Sequence, residues 1–324
     1  MSTHICPCVK VNLLKHPNAD TLSIVKVLGY QVVVKTEEWK DGMLGIYVPP
    51  DSVLPFRNPL FDWFIEKYGQ RVRVKKFRGE ISQGLLVQAP SIAREREDWA
   101  ERLGIQHYEP TMALAVGFST QTDMAPGPPG LYLPKYDIER WANFHSAITE
   151  KDTVYVTEKI HGTSSRFLFM DDEFYVGSRN LWKKDVPGCV YWECTKQHPA
   201  IREWCEKHPD YVLYGEVFGW VQKLRYGARP GQLFFAAFDV FHSINGAWLE
   251  YPDFCEIVPS ILRVPELYVG LFDLDKLREL AEKNSEYVDD ISEGIVFGTI
   301  PERTERGLGR CKLKIVSNRY YERG

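Results

Sequence analysis

Apolar and polar residues alternate with a period of two along much of this chain, in short runs broken by glycine, proline and asparagine. Such alternation is the mark of strands with one buried face. CVKVNLL, LSIVKVLGYQVVVKT and GMLGIYVPP read as strands, and LFDWFIEKYG as a short helix. RVRVKKFRGEISQGLLVQAP supplies two further strands around Gly79. SIAREREDWAERLGI is expected to be a helix with Ser91 as its N-cap. Several short strands with one helix before the last pair predict a small Greek-key barrel of OB type over residues 1–109.

The pattern lapses between residues 110 and 134. Pro126, Gly127, Pro128, Pro129 and Gly130 are consecutive, a run that neither a helix nor a central strand accepts. This segment is expected to be an ordered, semi-rigid connector, because Leu131, Tyr132 and Leu133 would favour burial. Residues 135–324 then resume strand-like runs: VYVTEKI, SRFLFM, FYVGSR, YVLYGEVFG, QLFFAAFDVF, EGIVFG and CKLKIV. AIREWCEKH and DLDKLRELAEKNS read as helices, the second capped by Asp273 with Leu274, Leu277 and Leu280 on one face. Antiparallel sheets with helices outside, an α+β domain, are predicted. No internal repeat or low-complexity tract is evident.

Composition narrows the possibilities. The 324 residues suffice for two domains with separate cores, and 44% hydrophobic with 26% charged residues is a globular balance. A net charge of −4 makes the chain no polycation, so any contact to nucleic acid must come from a local basic surface. No signal-like or membrane-spanning stretch stands out, and seven cysteines at irregular spacing argue against a disulfide framework. A cytoplasmic or nucleocytoplasmic protein is expected, not a secreted one.

The chemistry lies in the charged residues that interrupt the later strands. Lys159 stands in TEKIHGT, Arg179 in VGSRN, Glu216 in LYGEVFG, Asp239 after Phe238 in FFAAFDV, Glu293 in SEGIVFG, and Lys312 and Lys314 in CKLKI. A charge within an apolar strand is costly to bury unless it is paired or bound to a ligand. One such residue is ordinarily a solvated one. Six interruptions, each at the end of an apolar run, point to a shared cleft lined by both signs of charge.

In this order K-x-H-G-T, S-R, G-E-V-F-G, F-D, E-G-I-V and K-L-K resemble the nucleotidyltransferase motifs of ATP-dependent ligases and capping enzymes. DNA ligases and capping enzymes usually carry Asp two residues after the nucleophile, whereas His161 at that place is similar to the RNA ligase 2-like group. The N-terminal OB-like unit resembles the subgroup of RNA ligases that carry such a domain, as does GEVFGWVQKLRYG. The chain ends ten residues after Lys314, without room for the C-terminal helical domain of phage relatives. The resemblance covers nearly the whole chain and implies an ATP-grasp-like fold for the second domain.

By that resemblance Lys159 is the nucleophile that attacks the α-phosphate of ATP and becomes lysyl-AMP. Lys312 and Lys314 would contact that phosphate, Arg179 and Glu216 the ribose and reacting phosphate, and Phe238 would stack on adenine. Glu158 would accept from the adenine amino group, with Ile160, His161 and Gly162 completing the nucleotide site. Glu293, Asp239 and Glu216 would bind Mg²⁺ or Mn²⁺, directly or through water. His161 fits an orienting or phosphate-contacting role better than a metal ligand. Phage members often have Asn where this chain has Ser164, which puts in doubt any contact of that residue to ribose or RNA.

Other candidates carry blander readings. Cys189, Cys194, His198, Cys205 and His208 could suggest zinc, but lack paired C-x-x-C spacing. Cys6 and Cys8 read as packing residues. KHPNAD, residues 15–20, is similar to a phrase in tRNA-binding OB domains, and also reads as a turn between barrel strands. Arg71 and Arg73 would share a face opposite the valines of RVRVKKFR, with Lys75, Lys76 and Arg78 extending a basic patch toward RNA. A solvated barrel face is the competing reading.

Taken together, an ATP-dependent RNA ligase is expected, joining 3′-OH to 5′-phosphate ends through lysyl-AMP and AMP-capped RNA. The expected substrate is a nicked duplex with a 3′-OH ribonucleotide end, as in RNA repair; a monomer without membrane association is expected. A GTP-using capping-type guanylyltransferase is the first alternative, disfavoured by His161 and the position of the OB unit. A non-catalytic RNA-binding protein is the second, disfavoured by retention of every charged motif residue.

Overall fold

The computed structural model describes residues 4–56, 58–108, 123–134 and 136–323. The chain divides into two compact units: Met1–Pro110 with Ala142–His145 and Tyr321–Gly324, and Thr111–Trp141 with Ser146–Tyr320. Among the described residues no helix is long and apolar enough to cross a membrane.

The first unit is built of small antiparallel sheets. One joins Cys8–Lys10, Leu44–Val48 and Leu85–Gln88; another joins Leu13–Lys15, Leu22–Val27 and Tyr30–Lys35. Cys6, Cys8, Ile46, Val48, Phe61, Val72 and Trp99 pack its core. KHPNAD turns the strand Leu13–Lys15 into Leu22–Val27. Its His16 ring donates to the Phe77 carbonyl and its Asn18 amide to the Arg78 carbonyl, which ties the turn to the hairpin at Gly79.

Two expectations fail here. The helix expected over 91–105 is a series of turns, and only Ala100–Leu103 is helical. Arg96 has φ +71°, which breaks any continuous helix, and the Asp98 carboxylate accepts from the Ala100 N–H while Ser91 stays exposed. In the connector, where 110–122 lie outside the described residues, Leu131 and Leu133 pack against the second unit's core, but Tyr132 is 84% exposed.

In the second unit the strands are β1 (Thr153–Lys159), β2 (Thr163–Met170), β3 (Glu173–Ser178), β4 (Tyr211–Gly219), β5 (Leu233–His242), β6 (Glu266–Leu271), β7 (Gly294–Ile300) and β8 (Lys312–Val316). One five-stranded sheet has the order Glu139–Arg140, β8, β7, β1, β6; the other runs β3, β2, β4, β5, Ala247–Trp248. Helices α1 (Val190–Gln197) and α2 (Ala200–Lys207) cover the second sheet, with Cys194, Ile201, Trp204 and Cys205 against Phe167, Leu213, Phe235 and Val240. The cysteines considered for zinc sit in this packing, and His198 and His208 donate to the carbonyls of Leu233 and Trp204. Helix α3 (Leu274–Ala281) is capped by Asp273, whose carboxylate accepts from the N–H groups of Asp275 and Lys276.

Candidate active site

Register places the lysines. Lys159 lies opposite Gly294, Thr157 opposite Val296, and Val296 opposite Lys314; Tyr155 and Lys312 both face Gly298. Residues directly opposite in an antiparallel pair share a face, so Lys159, Lys314 and Lys312 project from the same side of three adjacent strands. Lys159, Lys312 and Lys314 line one cleft with Glu158, Ile160, Ser164, Arg179, Glu216 and Phe238.

Phe238 faces the cleft, on the same side of β5 as Ala236, at a bulge in the strand. Tyr214 pairs with Asp239 and Gly215 with Ala237, leaving Phe238 as the extra residue. A bulge re-aims side chains without ending the strand. Two glycines make the turns around Lys159 possible. A Cβ on Gly162 would lie 2.4 Å from the Val217 carbonyl, and one on Gly294, at φ +138°, 2.2 Å from the Ile315 carbonyl.

Lys159 Nζ is 2.7 Å from Glu293 Oε1, and Glu293 Oε2 is 3.6 Å from His161 Nδ1. Burial alone would raise the Glu293 carboxyl, but the Lys159 ammonium and His161 outweigh it and hold it at about 2. Burial, against the pull of Lys159 and with the help of Glu293, pushes Glu216 up to about 8. Lys314 is pushed down to about 8 by burial and by the neighbouring Lys159. Two carboxylates that oppose one another's ionisation, beside several cations, make a site suited to a polyanion with its cation.

The cleft also holds unsatisfied polar atoms. Glu158 Oε2 accepts from the Glu286 N–H at 2.9 Å and Ser285 adds a hydrogen bond to the carboxylate, while Oε1 has no hydrogen-bond partner among the described residues. Arg179 pairs with Asp137 at 2.7 Å, yet its Nε is a buried donor without an acceptor among them. An orphaned acceptor and an orphaned donor in one cleft, with an aromatic ring, match the amino group, hydroxyls and flat base of a nucleoside.

Asp239, read as a metal ligand, has its carboxylate engaged by cations and a hydroxyl instead. Its carboxylate accepts from Lys312 Nζ at 2.8 Å, Arg310 Nη1 at 2.8 Å and the Tyr136 hydroxyl at 2.9 Å. Burial would raise its pKa, but Lys312 and Arg310 hold it below the usual carboxylate value. Glu302 binds Arg310 from the other side, and Lys312 also donates to the Phe238 carbonyl at 3.2 Å. Glu216 and Glu293 remain as candidate metal ligands, and no group of three or more suited side chains gathers among the described residues.

Sequence reasoning missed the tyrosines that clamp the turn after Lys159. The His161 N–H donates to the Tyr226 hydroxyl at 2.7 Å, and the Tyr320 hydroxyl is hydrogen-bonded to His161 Nδ1 at 3.0 Å. Tyr226 lies inside the run GEVFGWVQKLRYG, but neither ring has a local pattern that reveals a partner far away in sequence.

A sequence profile of the RNA ligase family matches residues 152–316, half of the chain. The chain belongs to the RNA ligase family. An OB-fold domain profile matches residues 7–89 of this family member, the region read as a barrel. No curated protein sequence matches it. Among solved structures, the Naegleria gruberi RNA ligase with PPi is similar at 23% identity and TM-score 0.80, over 100% of this chain and 99% of that one. A lysine-to-methionine mutant of the same protein with AMP and Mn matches at 22% identity and TM-score 0.83, over 100% and 99%. A lysine-to-alanine mutant with ATP and Mn matches at 22% and 0.82, over 99% and 98%. These likenesses establish a shared α+β fold with an N-terminal OB domain.

The basic residues assigned to RNA lie in the first unit. Val72 and Val74 are buried with Arg73 exposed between them, as alternation requires. Several of the cations are already engaged: Arg71 pairs with Asp51 at 2.7 Å and stacks 3.7 Å over Tyr108, Lys75 lies over Tyr68, and Lys76 pairs with Glu322.

Proposed function

We propose that this family member is an ATP-dependent RNA ligase that seals 3′-OH to 5′-phosphate ends, with nicks in duplexes as its substrate. What carries the reading is a lysine in the lining of a cleft that also presents an aromatic ring, two further lysines and the orphaned oxygen of Glu158. A binding module would need the ring and the cations. It would not need a lysine amine held against a carboxylate in the cleft.

In this reading adenine stacks on Phe238 and donates its amino hydrogen to Glu158 Oε1. Arg179 Nε donates to the ribose or the adjoining phosphate. Lys314 and Lys312 neutralise charge that builds on the α-phosphoryl oxygens. Unprotonated Lys159 Nζ attacks the α-phosphorus, pyrophosphate leaves, and a phosphoramide to AMP remains. Glu293 and Glu216 would hold a divalent cation, which would supply neutralisation of the triphosphate charge. The RNA 5′-phosphate then takes the AMP, and the 3′-OH displaces it to close the phosphodiester.

The test is to incubate the protein with a divalent cation and α-labelled ATP or GTP, then add nicked RNA duplex. Covalent label on the protein from ATP that survives denaturing electrophoresis but is lost in acid, as a P–N bond is, together with its transfer to RNA and a sealed strand, is expected. Label from GTP alone would favour the capping reaction, and label from neither would end the enzymatic reading.

Tyr320→Phe is a sharper probe of the nucleophile turn, because it removes only the hydroxyl bound to His161. Adenylylation is expected to slow about tenfold, the scale on which loss of a residue that orients a site partner acts. The rate–pH profile should also shift, which a purely structural role for the ring would not produce.

A further inference from the structure

The loop that follows β4 offers a binding surface that the nucleotide cleft does not use. From Val217 to Leu233 the chain has no acidic residue but carries Lys223, Arg225 and Arg229, within a chain whose net charge is −4. Among the described residues none of these three cations is ion-paired. Arg225 lies 3.2 Å over the ring of Trp220, which is 38% exposed, a large aromatic left at the surface. Leu224 and Tyr226 are buried beside Ile160 and anchor the loop from below. Gln222 Nε2 donates to the Gly162 carbonyl and the Tyr226 hydroxyl accepts from the His161 N–H, so the loop is fastened twice to the turn that follows Lys159.

An aromatic face with uncompensated cations beside it is what a nucleic-acid strand requires: a π-face for a base and positive charge for the phosphates. A small anion would not need the tryptophan, and an apolar partner would not need three cations. Resting on the ligase reading, we propose that Trp220, Arg225 and Lys223 hold the RNA strand next to the end being joined, Trp220 and Arg225 as a stacking platform for a base and Lys223 for the phosphate. The tether through Gly162 and His161 places this platform beside the nucleophile rather than in the first unit, so binding at the junction does not depend on the barrel patch.

A nicked RNA duplex with a synthetic AMP-capped 5′ end separates this step from reaction with ATP. Its dissociation constant and sealing rate are measured at two salt concentrations for wild type, Trp220→Ala, Trp220→Phe and Arg225→Ala with Lys223→Ala. Trp220→Ala should weaken binding about tenfold, and Trp220→Phe should restore most of it, because stacking on any aromatic ring is sequence-tolerant. The double variant should bind more weakly and lower the salt slope by about one for each phosphate that is no longer neutralised. Label from ATP should stay within about twofold of wild type in every variant. Unchanged affinity for the duplex would overturn the platform, as would a drop in ATP labelling equal to the drop in binding. Failure of wild type to take label from ATP would instead sink the ligase reading, while the binding arm would still decide the platform.

Discussion

Lys159→Ala should take no label from α-labelled ATP, and Lys159→Arg should fail equally. The two substitutions ask different questions. Alanine removes the amine; arginine keeps a positive charge opposite Glu293, 2.7 Å from the native ammonium. A guanidinium stays protonated and offers no free electron pair to phosphorus. Charge without nucleophilicity should therefore be worthless, whereas a lysine that merely bound phosphate would be partly replaced by arginine. Both variants should retain some sealing of AMP-capped RNA, since the bond made by Lys159 is already behind that substrate. Covalent label persisting on Lys159→Ala would move the nucleophile elsewhere, with Lys314 the first candidate because burial lowers its pKa.

Asp239→Asn should lower both stability and activity. The carboxylate is buried among Lys312, Arg310 and the Tyr136 hydroxyl, so its neutralisation leaves the buried Lys312 and the half-buried Arg310 with less compensation. Breaking one side of a buried ion pair costs about 3 kcal/mol. Asp239 is held below its ordinary pKa, so its contribution is present in full above the unfolded value of about 4 and disappears as pH falls through the folded value. The deficit of the variant in thermal unfolding should accordingly be full at pH 7 and shrink in acid. Adenylylation should fall as well, because Lys312 and the Phe238 carbonyl lose the group that fixes them. Had Asp239 been a metal ligand, excess divalent cation would rescue the variant; no rescue is expected.

The catalytic unit was largely legible in the sequence because its strands carry their own signal. β4 coincides with YVLYGEVFG, and β1, β2, β5, β7 and β8 begin or end within a few residues of their predicted runs. Placing three lysines on one face needed the pairing of strands far apart in sequence, and no local pattern supplies that. The same distance hid the role of Asp239, whose partners Arg310 and Lys312 lie some seventy residues downstream. SIAREREDWAERLGI misled for the opposite reason. Its composition favours a helix, but hydrogen bonds of Cys6 and Cys8 with Asp98, Arg96 and Glu97 bend the backbone into turns. β6 was missed because it is an edge strand whose residues are mostly half-exposed, so it has no sustained apolar face.

The bulge at Phe238 gives β5 two reading frames. Leu233, Phe235 and Ala237 point into the core under the helices, and after the bulge Val240 takes over that face, so parity switches from odd to even. Removing the single residue Phe238 would merge the frames: Asp239 would keep its side of the sheet and Val240 its place in the core. The aromatic ring can thus be lost by shortening without turning the other side chains of the strand over. Chain length at this position, as well as side-chain identity, governs whether the cleft is lined by an aromatic ring.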